Sequence, residues 1–195
     1  MHLKRTLSGI FFTITILMNA QTNDELPFAE IPSAPEAYTA GGIASRMIDG
    51  LGFRYYWATE GLRPEDLSYK PSTEARTSEE TIDHILGLSY VVLNSALKKT
   101  NGPREDGPLT FNEKRAQTLK NLEQASKILR SAENLEDYPV VFKRNESTSE
   151  YPFWNQINGP IADAIWHVGQ VVSFRRSSGN PLHPKASMFN GKLRE

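Results

Sequence analysis

The stretch GPIADAIWHVGQVVSFRRSSGNP, residues 159–181, decides how the chain folds. Ile161, Ile165, Val168, Val172 and Phe174 recur at the intervals that bring side chains onto one side of an α-helix. Asn158 is a good cap, Pro160 is tolerated in a first turn, and Gly179 with Pro181 closes the run near Ser178. Ala162, Ala164 and Gly169 let neighbouring helices approach closely, so the spacing predicts the most central helix of a bundle.

Working outward, three more helices are predicted. Met47, Ile48, Leu51, Tyr55 and Ala58 mark one from about Ile43 to Glu60, with Gly61 as its stop. Residues 62–71 are polar and carry two prolines, which ends that helix. Thr77 with Glu80 has the capping-box spacing and opens a second helix that runs to about Leu97, where Lys98 and Lys99 suit the helix dipole. Two glycines and two prolines between Thr100 and Pro108 make a loop. A third, amphipathic helix covers about Asn112 to Ser131, with Ala116, Leu119, Leu122, Ala125, Ile128 and Leu129 on its apolar face. Residues 133–155 form a long connection in which Tyr138, Val140, Val141 and Phe142 favour a short strand or an extended cover. The expected fold is all-α, a four-helix bundle with a long, partly extended connection before the last helix.

The start of the chain reads differently. Lys4 and Arg5 precede an apolar run from about Leu7 to Met18, and small Ala20 stands before Gln21, the three parts of a cleavable signal peptide over residues 1–20. That run is shorter than the roughly 20 residues needed to cross a bilayer, so no stable membrane insertion is expected after cleavage. The expected location is secreted or periplasmic. Residues 21–42, rich in Pro, Ala, Glu and Gly, read as a flexible tether, and residues 43–195 as a single domain. The chain has no cysteine, so neither a disulfide nor a lipoprotein anchor can form and packing alone must hold the fold. Without Lys4 and Arg5, 20 basic residues face 23 acidic ones, with no basic stripe to offset a phosphate backbone, which argues against a nucleic-acid partner.

Three histidines remain beyond the leader. On helical wheels His84 falls beside Leu88, Val91 and Val92, and His167 beside Ala164, Val171 and Phe174, so both imidazoles are expected to point into the bundle. Asp163 precedes His167 by four residues, which puts the two side chains roughly 5–6 Å apart at Cβ on one helix face. Together the three residues could make a two-histidine, one-carboxylate set with open positions for water or substrate. On the helical wheels alone, an in-helix ion pair and a histidine satisfied by a neighbour, with no ion at all, is the favoured reading. In that case the bundle is a metal-free small-molecule-binding or interaction module.

The segments TIDHILGL (residues 81–88), ADAIWHVGQ (162–170) and FRRSSGNP (174–181) together resemble the DinB-like superfamily, and the likeness extends over most of the chain beyond the leader. LRPEDL, residues 62–67, is similar to that family's linker after its first helix. The resemblance implies a four-helix bundle with one metal-ligating histidine in the second helix and a His-x-x-x-His-x-Gly-Gln-like motif in the last. His84 takes the first place and His167 the last histidine of the motif, with Gly169 and Gln170 following. Asp163 stands where the family usually has the motif's other histidine, and its harder oxygen shifts preference away from soft metals. The implied cofactor is a divalent metal ion: zinc, nickel, iron or manganese. Family members with known activity include thiol-dependent S-transferases for bacillithiol and mycothiol, which are cytosolic thiols, whereas the leader directs this chain outward. The implied activity is therefore that of a metal-dependent hydrolase or transferase acting on a small molecule.

Trp57 and Trp166, with Tyr55, Tyr56 and Trp154, are candidates for the walls of a ligand pocket or simply for the core. Gln170, one turn past His167, is placed to orient a ligand. Asp83 points away from His84, and His183 lies among prolines and is expected to be exposed. There is no glycine-rich phosphate loop, Gly-x-Ser-x-Gly elbow or cysteine nucleophile. A homodimer formed through helix faces is compatible with such a bundle.

Overall fold

The computed structural model describes residues 25–105 and 107–195; the leader over residues 1–20 and its cleavage point after Ala20 lie outside them. Four long helices carry the fold: α1 (Ala40–Thr59), α3 (Ser78–Ala96), α4 (Phe111–Arg130) and α6 (Ala162–Ser177). Between them come the short α2 (Pro64–Ser68), a hairpin of β1 (Val140–Arg144) and β2 (Ser147–Tyr151), and α5 (Phe153–Gln156), while β3 (Ala186–Ser187) and β4 (Lys192–Leu193) follow α6. α1 packs on α4, α4 on α3, α3 on α6, and α6 back on α1. One core runs through the middle, with Ile48, Leu51, Tyr55, Ile82, Leu119, Leu122, Leu129 and Ile161 all at most 1 % exposed.

Side-chain pairings give the helix directions. Lys114 meets Glu79 and Asn121 meets Ser89, so α3 and α4 run parallel and the loop between them must travel back along the bundle. Arg104, in that loop, reaches Asp83 in the first half of α3. His84 meets Asp163 while Gln156 donates to the Val91 carbonyl, so α3 and α6 are antiparallel.

Capping explains where helices start. Thr77 with Glu80 forms the expected box, and Thr110 with Glu113 forms a second that starts α4 at Phe111. α1 begins at Ala40, three residues ahead of the position predicted from its apolar period, because the Thr39 hydroxyl accepts the Gly42 N–H at 3.0 Å. The proline-marked connection after α1 contains α2, with Pro64 in its first turn. The side chain of Asp66 there is fully buried. Hydrogen bonds from Arg63, Ser178 and Asn180 hold its carboxyl below the usual carboxylate range, the Arg63 contribution being the largest.

The last helix starts earlier than predicted. α5 opens at Phe153, a π-helical turn spans Ile157–Ile161, and α6 continues from it, so Asn158 and Pro160 lie inside the helical run. Gln156 and Ile161, five residues apart, are both fully buried. In an α-helix they would lie about 140° apart; the wider turn brings them onto the same side. The proline, which lacks an N–H, sits in the turn where the regular ladder is already broken.

Composition predicts little structure for residues 21–42, yet residues 26–31 pack against the bundle, and the Pro32 and Ser33 carbonyls accept from Arg46 and Arg130, while Tyr38 is 97 % exposed. Phe28 is 4 % exposed in the core, and a Cβ on Gly52 would come within 2.5 Å of its ring. The Trp57 indole N–H donates to the Ala29 carbonyl and the Ile31 N–H to the Gly191 carbonyl. A single aromatic anchor opposite a glycine is invisible to a composition average. Phe28→Ala is expected to cost about 3 kcal/mol of stability, read as a lower urea midpoint with unchanged slope; an unchanged midpoint would show that the segment does not help hold the bundle together.

Candidate metal centre

His84 comes from α3, and Asp163 and His167 from α6, where their four-residue spacing stacks them on one face. The antiparallel packing of those helices brings the three together. His84 Nε2 lies 3.3 Å from Asp163 Oδ2, and His167 Nε2 lies 3.3 Å from Asp163 Oδ1. One donor atom from each residue can be chosen so that all lie within 4.8 Å of one another. The two rings meet edge to face, centroids 4.6 Å apart. These residues form a His-His-Asp cluster that can hold a metal ion.

The cluster is not in the interior, where helical wheels place it. The side chains of His84, Asp163 and His167 are 35 %, 41 % and 16 % exposed, so the site opens to solvent along the seam between α3 and α6. Helical wheels locate a face but not how far an adjoining helix covers it.

His167 Nδ1 lies 2.7 Å from Gln170 Oε1. A carbonyl oxygen only accepts, so with the Gln170 amide oxygen toward the ring this pairing belongs to the tautomer in which Nδ1 carries the proton. In a neutral ring Nε2 then presents a lone pair to an anionic carboxylate oxygen, a repulsive arrangement unless a proton or another cation stands between them. A bond made by one ring nitrogen leaves the other free to act as a ligand. Each 3.3 Å separation matches the roughly 3.3–3.6 Å between donors held about 2.0–2.2 Å from a tetrahedral ion, but the two run to different Asp163 oxygens, and a set of one donor atom per residue spans up to 4.8 Å.

Asp83 aims elsewhere, pairing with Arg104 at 3.1 Å and Lys114 at 3.8 Å. His183 is exposed and rests against Trp57. Trp57 belongs to a second apolar cluster with Phe53 and Ala186, near the Arg175 end of α6. Trp166 is 72 % exposed, Trp154 is 73 % exposed, and Tyr55 is fully buried in the main core.

Two more buried charges, besides Asp66, escaped prediction. Asp49, 1 % exposed, pairs with Arg130 at 2.8 Å and accepts from Ser126; burial outweighs these partners and raises its pKa. Arg175, 4 % exposed, donates to the carbonyls of Trp57, Ala58 and Glu60. Arg175 extends the buried stripe of Ala164, Val168 and Val171, and a charge at a stripe position was the available signal.

No family model, curated protein or solved structure matched this chain.

Proposed function

We propose that His84, Asp163 and His167 bind a divalent metal ion, and that the protein is an exported, DinB-like, metal-dependent hydrolase or transferase acting on a small molecule. The observation that carries this reading is the convergence of one donor atom from each of His84, Asp163 and His167 within 4.8 Å of one another. An ion bound there supplies Lewis acidity, able to acidify a water or thiol or to polarise a carbonyl. His84 and His167 furnish neutral nitrogen donors from two helices, while Asp163 furnishes negative charge and a hard oxygen. Gln170 fixes the tautomer and the ring plane of His167, and the solvent-facing side of the cluster leaves room for a substrate. Export is supported by the residues at the start of the chain.

The test is metal content after purification without chelators. A stoichiometric divalent ion in the native protein, lost in His84→Ala, is the expected result; absence of metal from the native protein removes the enzyme reading. Gln170→Ala should weaken metal affinity by about 10- to 100-fold while leaving the ligand set intact. Competition with a chromophoric chelator measures that change, and unchanged affinity would mean that the Gln170 bond does not prepare the ligand.

A second reading, a metal-free binding module, draws on the 3.3 Å separations themselves: a protonated imidazole beside Asp163 satisfies the cluster without an ion. Under it, His167→Ala changes folding stability and leaves ligand affinity untouched.

A further inference from the structure

A groove begins on α3 one helical turn beyond His84, at Gly87, and no residue of the triad lines it. His84, Gly87, Val91 and Asn94 follow one another at three- and four-residue steps, forming one stripe along α3. The last three line a groove of about 820 Å³ whose far wall includes Phe142, Lys143 and Arg144 from the hairpin. An adjoining cleft of about 570 Å³ shares Phe142 and Arg144 and reaches Pro160, three residues before Asp163. Both hollows thus approach the triad to within one helical turn, one along α3 and the other along α6.

The charge in the groove runs against that of the whole chain. Among its described lining residues Glu105 is the carboxylate, against Arg104, Lys143 and Arg144. Arg104 is engaged with Asp83, whereas the exposed Lys143 and Arg144 have no ion-pair partner among the described residues. Phe142 and Tyr151 meet edge to face at 6.3 Å, each more than one third exposed, and offer an apolar surface beside those cations. Gly87 lies inside α3, where a helix disfavours glycine. Neither a left-handed backbone nor packing calls for it: its φ is not positive, and the nearest neighbour to an added Cβ is Arg104 Nη1 at 4.0 Å. What glycine does provide is clear space at the groove's wall.

We propose that this groove and the cleft beside it bind a small organic anion, a carboxylate or phosphate ester, with its charge at Lys143 and Arg144 and its flat apolar part on Phe142, which lines both hollows, and on Tyr151 of the cleft. The anion's other end passes over Gly87 to the triad. Only that last placement rests on the metal-dependent reading; capture of the anion does not.

Calorimetric titration of chelator-treated and zinc-loaded protein with phenyl phosphate and with benzoate, and with phenol as the uncharged control, tests this. At least one anion should bind the chelator-treated protein, more weakly as salt rises, and phenol should not. The Lys143→Ala/Arg144→Ala double variant should lose at least tenfold in anion affinity with metal content unchanged, and Gly87→Leu should weaken binding of the same probe. Which anion binds separates phosphate from carboxylate recognition. Anion binding seen only with zinc loaded, or untouched by the double variant, or equalled by phenol, or absent altogether, overturns the proposal. If the anion binds but no metal ever does, the groove stands and the catalytic reading falls.

Discussion

His167→Ala is expected to lower divalent-metal affinity by on the order of a thousandfold, the largest effect of any single substitution at the candidate site. Three donors already leave an open coordination position, so removing one leaves a His-Asp pair of the kind found on many protein surfaces. His167 is also the least exposed of the three and the one held by Gln170, so its loss removes the donor that is most rigidly prepared. Folding should survive, because alanine favours the helix and the neighbouring Val168 and Val171 keep α6 in the core. Circular dichroism together with chelator competition separates the two effects. Metal affinity that is unchanged in a folded His167→Ala protein would place the ion elsewhere.

The largest loss of stability is expected at Arg175→Leu, about 4 kcal/mol, or a drop in Tm of roughly 8–16 °C. Arg175 Nη1 lies 3.0 Å from each of the Trp57, Ala58 and Glu60 carbonyls, groups at the end of α1 that have no intrahelical partner. Its Nε donates to the Asn180 carbonyl at 2.7 Å and its Nη2 to Asn180 Oδ1 at 3.2 Å. Burial lowers the guanidinium's pKa, and nearby Asp66 and Glu60 oppose that shift. Leucine fills part of the volume and leaves the carbonyls dry and unpaired, which is where most of the cost arises. Arg175→Lys keeps the charge but not the planar fork, and should recover only a small part of the loss. A melting temperature within a degree of the parent for Arg175→Leu would show that water replaces the guanidinium without penalty.

How far the sequence could be read follows from where the information lies. α3 and its cap at Thr77 were legible because a capping box and an apolar period coincide there. α4 was legible to within one residue at each end, although Thr110 and Glu113 went unread as its cap. The start of the last helix was misread because Pro160 suits a first turn as well as it suits a π turn, and local preference cannot separate the two. β2 is exposed at every position and has no apolar alternation, so only its partner strand left a trace in the sequence. At the site, identity was legible and depth was not. His84, Asp163 and His167 could be grouped by helical phase, but their exposure depends on how α3 and α6 meet. The Lys143 and Arg144 wall belongs to a hairpin whose docking against α3 depends on Asn101, which bonds to Val141 and Lys143 across about 40 residues of chain.

The π turn at Ile157–Ile161 amounts to one surplus residue wound into a helix. Everything on its N-terminal side, from the hairpin through Phe153 and Gln156, is thereby rotated by about 100° relative to a regular continuation of α6. Asp163 and His167 lie on the other side and keep their phase. The seating of Phe153 and Gln156 relative to the ligand cluster is therefore set like a gear advanced by one tooth: excising one residue near Gly159 would turn both out of the core and spare the cluster.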